Sequence, residues 1–285
     1  MNAIAERIIT PTTIRSVAFT PDSDDVFMFY GWEHDKVGRT AAPPPSFHRH
    51  HVVALNRAAL VGEYDVSSIS SVAFLGIADD YHILSAGTSV GRGYGPVLVA
   101  RHYEKLAELR GKRIAVGGLP STGGMLAQLY CPSATIVEAP YNTIAAGISS
   151  GEFDAGVMIH EELVFFPKLG LQQVEDLGAR WSADHDLPIP VGLNVAHKRL
   201  GIGKAQEACR FTRESLAWSW GHFDEARAFA STFGRGCADR FVRMFANTDS
   251  FVMPADVRAG LALLLEQAAN LGYGPRLSTL EVLHG

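Results

Sequence analysis

Between residues 96 and 159, short apolar runs alternate with helical stretches and glycine-rich turns, and this alternation restricts the fold more than any other feature of the chain. Residues 96–100 (PVLVA), 111–116 (GKRIAV), 135–139 (TIVEA) and 155–159 (AGVMI) have the length and composition of buried strands. Residues 103–110, 125–130 and 141–150 read as the intervening helices. Strands that alternate with helices predict an α/β fold with a mainly parallel sheet. The run 155–159 ends abruptly in His160-Glu161-Glu162. An imidazole delivered at the carboxyl end of a buried strand stands where open α/β sheets bind ligands. A histidine after an apolar run is also an ordinary structural residue, so His160 needs support from elsewhere in the chain.

The flanking regions extend the pattern. Residues 1–12 read as a loose leader, 13–19 as a first strand, 20–25 (TPDSDD) as a polar turn and 26–32 as a helix start. Such a turn either caps the helix or binds a polar ligand. Three prolines at 43–45 predict an extended surface connection, and the histidines of 47–51 (FHRHH), lacking partners at ligand spacing, predict a solvated loop rather than a metal site. A helix over 52–62, a short strand at 64–66, a serine-rich turn over 67–74, a strand at 81–84 and a flexible loop at 87–95 follow. Asp184-His185-Asp186 reads as a charged surface loop, and helices dominate from residue 204 onward, over 204–220, 223–233, 239–247 and 255–271.

Several function classes are disfavoured. The 285 residues carry a net charge of −5 and no basic run with interleaved aromatics, so nucleic acid is not an expected partner. Cys131, Cys209 and Cys237 are sparse and unpaired in sequence, which fits a reducing compartment. The amino terminus lacks the apolar core of a secretory signal, and no apolar stretch approaches the ~20 residues that span a bilayer. A soluble, cytoplasmic protein with no membrane partner is predicted.

The sharpest local motif is 117–124, GGLPSTGG, between a strand and a helix. Free amides at the helix start, with the hydroxyls of Ser121 and Thr122 beside Gly123, suit a carboxylate or phosphate. It lacks the G-K-[ST] ending of a Walker loop. The glycines at 91, 93 and 95 miss the dinucleotide fingerprint because Pro96 holds the last slot, and Gly201-Ile-Gly203 misses it at Gln206. His160-Glu161 does not extend to a zinc-protease motif, since Val164 stands where the second histidine belongs, and no G-x-S-x-G elbow occurs. No metal or organic cofactor is predicted.

Taken together, residues 25–30 (DVFMFY), Leu55-Asn56, Ile69-Ser70, 85–99 (SAGTSVGRGYGPVLV), Ser121-Thr122, 156–161 (GVMIHE), 176–178 (DLG) and 187–192 (LPIPVG) resemble the menaquinone-pathway family that includes 1,4-dihydroxy-6-naphthoate synthase. The resemblance covers about residues 15 to 250 in colinear order. It implies a two-lobed type II periplasmic-binding-protein-like fold with a ligand cleft between the lobes. Lobe I is expected over 13–98 and 196–285, with lobe II inserted over 99–195. It also implies a carbon–carbon lyase acting, without metal or cofactor, on cyclic dehypoxanthinyl futalosine. By the same resemblance His160 falls on the proton acceptor, Ser68, Ile69 and Ser70 fall on one substrate-binding stretch, and Thr122 and Gly123 on another; Ser121, Asp24, Asn56 and Asn194 are further expected substrate-binding residues.

A neutral imidazole suits abstraction of a carbon-bound proton acidified by a neighbouring carbonyl. Glu161 and Glu162 are candidates to orient the ring, and the sequence singles out neither. The chain departs from the family's first loop, S-P-C-P-N-D-x-F, which here reads Thr20-Pro-Asp-Ser-Asp-Asp-Val-Phe27. Asp24 thereby replaces an amide and adds negative charge to a cleft expected to take a small-molecule carboxylate. Two alternatives remain open at this point: a non-catalytic carboxylate-binding protein of the same fold, and a paralogue acting on another carboxylate.

Overall fold

The computed structural model describes residues 13–285 except Arg39 and Ala41, so the leader expected over 1–12 lies outside the described residues. The chain opens with β1 (Ser16–Phe19), α1 (Ser23–Glu33), β2 (Ser46–Arg49), α2 (Val52–Leu60), β3 (Val66–Ser70), β4 (Tyr81–Leu84) and β5 (Ser89–Gly91). It continues through β6 (Val97–Ala100), β7 (Arg113–Val116), α3 (Thr122–Tyr130), β8 (Thr135–Glu138), α4 (Ile144–Ser150), β9 (Ala155–Met158), α5 (Glu162–Phe165), β10 (Gln172–Asp176) and α6 (Leu177–His185). The last third holds β11 (Ile189–His197), α7 (Ile202–Gly221), α8 (Phe223–Ser231), α9 (Ala238–Phe245), α10 (Ala255–Asn270) and β12 (Val282–Leu283).

Two sheets organise these elements. One has the order β12-β4-β11-β3-β1-β2, with β5 paired to β11, and the other runs β10-β6-β9-β7-β8. Both are mixed rather than mainly parallel, which corrects the expectation from the alternating pattern. β1 with β2 and β3, and β7 with β8 and β9, are parallel. β11 is antiparallel to β3, β4 and β5, as β6 is to β9 and β10. The reason is connectivity: β6 and β11 carry the chain out of one sheet and back into the other, so each runs against strands whose carboxyl ends lead toward the space between the sheets.

Local readings shift at several points. The first helix begins at Ser23, so the polar turn supplies its first turn. Except for Glu33, its residues are all buried, and a helix apolar around most of its circumference has to be enclosed. α7, α8 and α9 enclose it, with Phe19 stacked on Phe29 at 4.6 Å between centroids. The serines of 67–70 form strand β3 instead of a turn, because pairing with β1 and β11 on both sides outweighs the low strand propensity of serine. Residues 46–49, read as a solvated loop, form an edge strand on β1, and Asp184-His185 ends α6, with Asp186 as its left-handed cap.

The D-L-G element has a packing cause. Asp176 caps α6 by accepting from the amides of Gly178 and Ala179, and a Cβ on Gly178 would lie 2.3 Å from the Tyr94 carbonyl oxygen. Only glycine lets the helix start approach the strand-entry loop this closely. One apolar cluster, including Ile69, Leu193 and Leu264 of the first sheet layer and Leu98, Ile114 and Val157 of the second, joins the two lobes.

Candidate active site

The carboxyl ends of the parallel strands in both sheets face one cleft. From the first sheet, β1 delivers Thr20 to Asp25 and β3 delivers Ser68 to Ser70. From the second, β7 leads through the 117–121 turn into α3, and the adjacent β9 delivers Ile159 and His160. The cleft is open to solvent, with a cavity volume of about 100 Å³; its walls include Asp24, Asp25, Ser68, Ser70, Thr122 and His160. Ile69, Ser121, Gly123, Ser89 and Phe245 also line it. Hydroxyls and a helix start on one wall, with an imidazole above them, form a place for an anionic ligand.

His160 sits at the turn where β9 stops, with φ of 57°. A left-handed backbone is uncommon for a residue with a Cβ, and it swings the ring off the strand direction toward the first lobe. There its Nδ1 stands 2.5 Å from Oδ2 of Asp22. The carboxylate at the ring is therefore that of Asp22 in the first loop, and neither Glu161 nor Glu162, the two candidates named from the sequence, makes this contact. Nε2 is buried and has no hydrogen-bond partner among the described residues. A carboxylate beside Nδ1 favours the Nδ1–H tautomer of the neutral ring, which places the lone pair on Nε2.

Around this pair lies a charge network. Burial works against a charged His160, but the charge and hydrogen bond of Asp22 outweigh it and raise the imidazole pKa above its ordinary value; Arg235 opposes the rise and Glu162 assists it. Burial likewise works against ionised Asp22, yet His160 and Arg235 hold its carboxyl below the usual range. Nη2 of Arg235 lies 2.6 Å from Oδ1 of Asp22 and 3.0 Å from Oε2 of Glu162, and Nη1 donates to Tyr141 Oη at 3.1 Å. Arg235, in the segment between α8 and α9, thus ties the first lobe to the second.

Glu161 takes a different part. Its Oε1 accepts from Ser23 Oγ at 2.5 Å, and its Oε2 accepts from the Arg235 amide and, at 3.3 Å, from Cys237 Sγ. A Cβ on Gly234 would lie 2.4 Å from Oε1 of Glu161, so the glycine makes room for this anchor. Glu161 fixes the segment that presents Arg235 and does not reach the His160 ring.

The other predicted residues divide into wall and support. Ser121 caps α3, its Oγ accepting from the Gly124 amide and donating to the Gly118 carbonyl, while Thr122 Oγ1 donates to the Val191 carbonyl at 2.9 Å. These hydroxyls are engaged, and the amides of the helix start remain as the groups suited to an anion. Ser68 Oγ donates to Asn194 Oδ1 at 2.7 Å, and Asn194 Nδ2 donates to the Gly87 carbonyl. Asn194 stands behind the wall. Asn56 does too: its Nδ2 donates to the Pro120 carbonyl at 2.7 Å and its Oδ1 accepts from the Ser70 amide at 3.0 Å. It links the serine strand of one lobe to the anion turn of the other. Asp22, Arg235 and Tyr141 were missed by sequence reasoning, since nothing local marks residues brought to His160 from other elements.

No group of three or more metal-binding side chains occurs among the described residues, and no helix there is long and apolar enough to cross a membrane.

Residues 15–270 match a protein family described as menaquinone biosynthesis. A 1,4-dihydroxy-6-naphthoate synthase of Thermus thermophilus is 34% identical over 260 residues, covering 90% of this chain and 94% of that protein. The Streptomyces coelicolor protein of the same name is 28% identical, over 92% of this chain and 95% of its own length. A crystal structure of an Archaeoglobus fulgidus protein superposes with a TM-score of 0.85 at 40% identity, over 90% of this chain and 97% of that one. The periplasmic aliphatic sulphonate binding protein of Escherichia coli superposes with a TM-score of 0.68 at 13% identity, over 92% of each chain, a likeness of fold: the two-lobed periplasmic-binding-protein architecture.

Proposed function

The chain belongs to the menaquinone-biosynthesis family, and on that premise we propose that it is a lyase forming 1,4-dihydroxy-6-naphthoate from cyclic dehypoxanthinyl futalosine, with His160 as general base. The observation that carries the reading is the Nε2 of His160: buried, without a partner and on the cleft wall, with Nδ1 against the Asp22 carboxylate. A base needs an uncommitted lone pair and a proton-bearing nitrogen held by another group, and the unpartnered Nε2 with Asp22 beside Nδ1 supports that reading.

In this reading the substrate carboxylate rests on the first-turn amides of α3 at Thr122 and Gly123. The reacting carbon faces His160. Nε2 takes a proton acidified by an adjacent carbonyl, Asp22 stabilises the resulting imidazolium, and loss of the proton starts the elimination that frees the naphthoate. Arg235 keeps Asp22 ionised for this step. Ser68 and Ser70 form the opposite wall of the cleft.

The test is direct. Purified protein is incubated with cyclic dehypoxanthinyl futalosine and naphthoate formation is followed by chromatography. Product is expected, and His160→Gln should lose about a hundredfold or more in kcat, the lower range for removing a general base. Absence of product from the wild type sinks the proposal. If the wild type binds the naphthoate yet forms none, a non-catalytic carboxylate-binding protein replaces it.

A further inference from the structure

Asp24 presents a contradiction on a wall that is expected to hold an anion. Its carboxyl lines the cleft and is buried, in the first turn of α1. The side chain that reaches it is Ser89, whose Oγ lies 3.4 Å from Oδ2. The titratable groups that bear on it are Asp25 and Asp22, and both are carboxyls. The cations His160 and Arg235 are engaged with Asp22. On α1, Asp25 accepts from neither of them; it is held by the amide and hydroxyl of Thr20, at 2.9 Å each. β11 and β3 contribute the uncharged Asn194 and Ser68 to this side.

We propose that Asp24 works in its protonated form, as a neutral carboxylic acid that donates a hydrogen bond to an acceptor oxygen of the anionic ligand and thereby selects it. The inference rests on the reading of this cleft as the substrate site. A buried carboxylate without a cation, beside two other carboxyls, is costly, and proteins relieve that cost by keeping the proton. The helix start and nearby backbone amides favour the ionised form, but burial and the two neighbouring carboxyls outweigh them and push the Asp24 pKa well above the ordinary value. Holding the proton changes what the residue does in the cleft. An ionised Asp24 repels a carboxylate ligand and offers acceptors alone, whereas the acid supplies a donor, as an amide at that position does. The substitution in the first loop then preserves anion recognition instead of abolishing it.

Wild type, Asp24→Asn and Asp24→Leu are compared for equilibrium binding of 1,4-dihydroxy-6-naphthoate near pH 7, under anaerobic conditions, with circular dichroism confirming the fold of each. The amide variant should match the wild type within about threefold because it keeps a donor, and the leucine variant should bind about tenfold or more weakly, the range for a hydrogen bond to a charged partner. Infrared difference spectra should show a protonated carboxyl band in the wild type that Asp24→Asn lacks. Absence of that band, equal binding by Asp24→Leu, or binding at least tenfold tighter by Asp24→Asn would each overturn the inference, the last because it reveals a repelling carboxylate. A wild type that binds no naphthoate overturns the reading of the cleft along with it, whereas binding without the acid band removes only the role of Asp24.

Discussion

His160 Nδ1 and Asp22 Oδ2 lie 2.5 Å apart, although 138 residues separate them in the chain and they belong to loops from different sheets. The pairing of this imidazole with its carboxylate is therefore set by how the two lobes meet. The proposed reaction depends on the approach of the lobes as well as on the ring.

Asp22→Asn should slow turnover by about a hundredfold or more and move the acid limb of kcat/KM to lower pH. The sign follows from the surroundings: Asp22 raises the His160 pKa, and without its charge burial and Arg235 pull that pKa down with Glu162 opposing. A pH–rate profile of the variant checks both effects. An acid limb that stays in place would remove Asp22 from the base.

Arg235→Gln should shift the same limb the other way. The guanidinium lowers the His160 pKa, so its loss raises it, and fewer neutral rings remain near pH 7. Removing one member of a buried ion network also destabilises, by about 3 kcal/mol, because Asp22 and Glu162 lose their shared cation. Urea denaturation measures the second effect independently of the first.

Asn56→Ala should cost about 2–4 kcal/mol of stability, since it leaves the Ser70 amide and the Pro120 carbonyl without their partner. KM should rise more than kcat falls, because the residue aligns two binding stretches and stands away from His160. A kcat that collapses while KM holds would contradict the supporting role.

Asp25 predicts a pH dependence of stability. Burial pushes its pKa up to about 6, with the Thr20 hydrogen bonds opposing. A carboxyl whose folded pKa is raised favours folding while both states are protonated, and that advantage is lost as pH rises from the unfolded value near 4 through the folded one. Relative to Asp25→Asn, the wild type should therefore lose about 2–3 kcal/mol between about pH 3.5 and 7, read from denaturant midpoints. No change in that difference across the range would contradict the shift.

The second sheet was largely legible because its strands are short apolar runs bounded by glycine and polar turns, a pattern that needs no distant partner to interpret. His160 and the 121–123 turn were visible for the same reason: each is a local change of composition at the end of such a run. Strand β3 was not, because Val66–Ser70 holds three serines and its strand character comes from β1 and β11 on either side. Arg235 was invisible in a stronger sense. It meets Asp22 across 213 positions, in a connection between helices that carries no signal of its own. The carboxylate at the ring was not legible, because Glu161 and Glu162 adjoin His160 in sequence whereas Asp22 adjoins it in space. The left-handed turn at His160 sends the ring toward the other lobe, while Glu161 points to Ser23 and the Arg235 amide.

The interleaving of the sheets also sets an order of assembly during synthesis. Strands β6 through β10 span residues 97–176 without interruption, so the second sheet is complete once that stretch has left the ribosome. The first sheet waits for β11 at 189–197 and for β12 at 282–283, which pairs with β4 some two hundred residues upstream. Domains generally form as units from the amino terminus onward, and pairings between distant segments come last. The strand that carries His160 is thus in place early, and its ring acquires Arg235 as a neighbour only when the final third of the chain has emerged. A nascent chain halted before residue 235 would hold the imidazole without the guanidinium that lowers its pKa, so completion of the charge network around the ring is a late event in the life of each molecule.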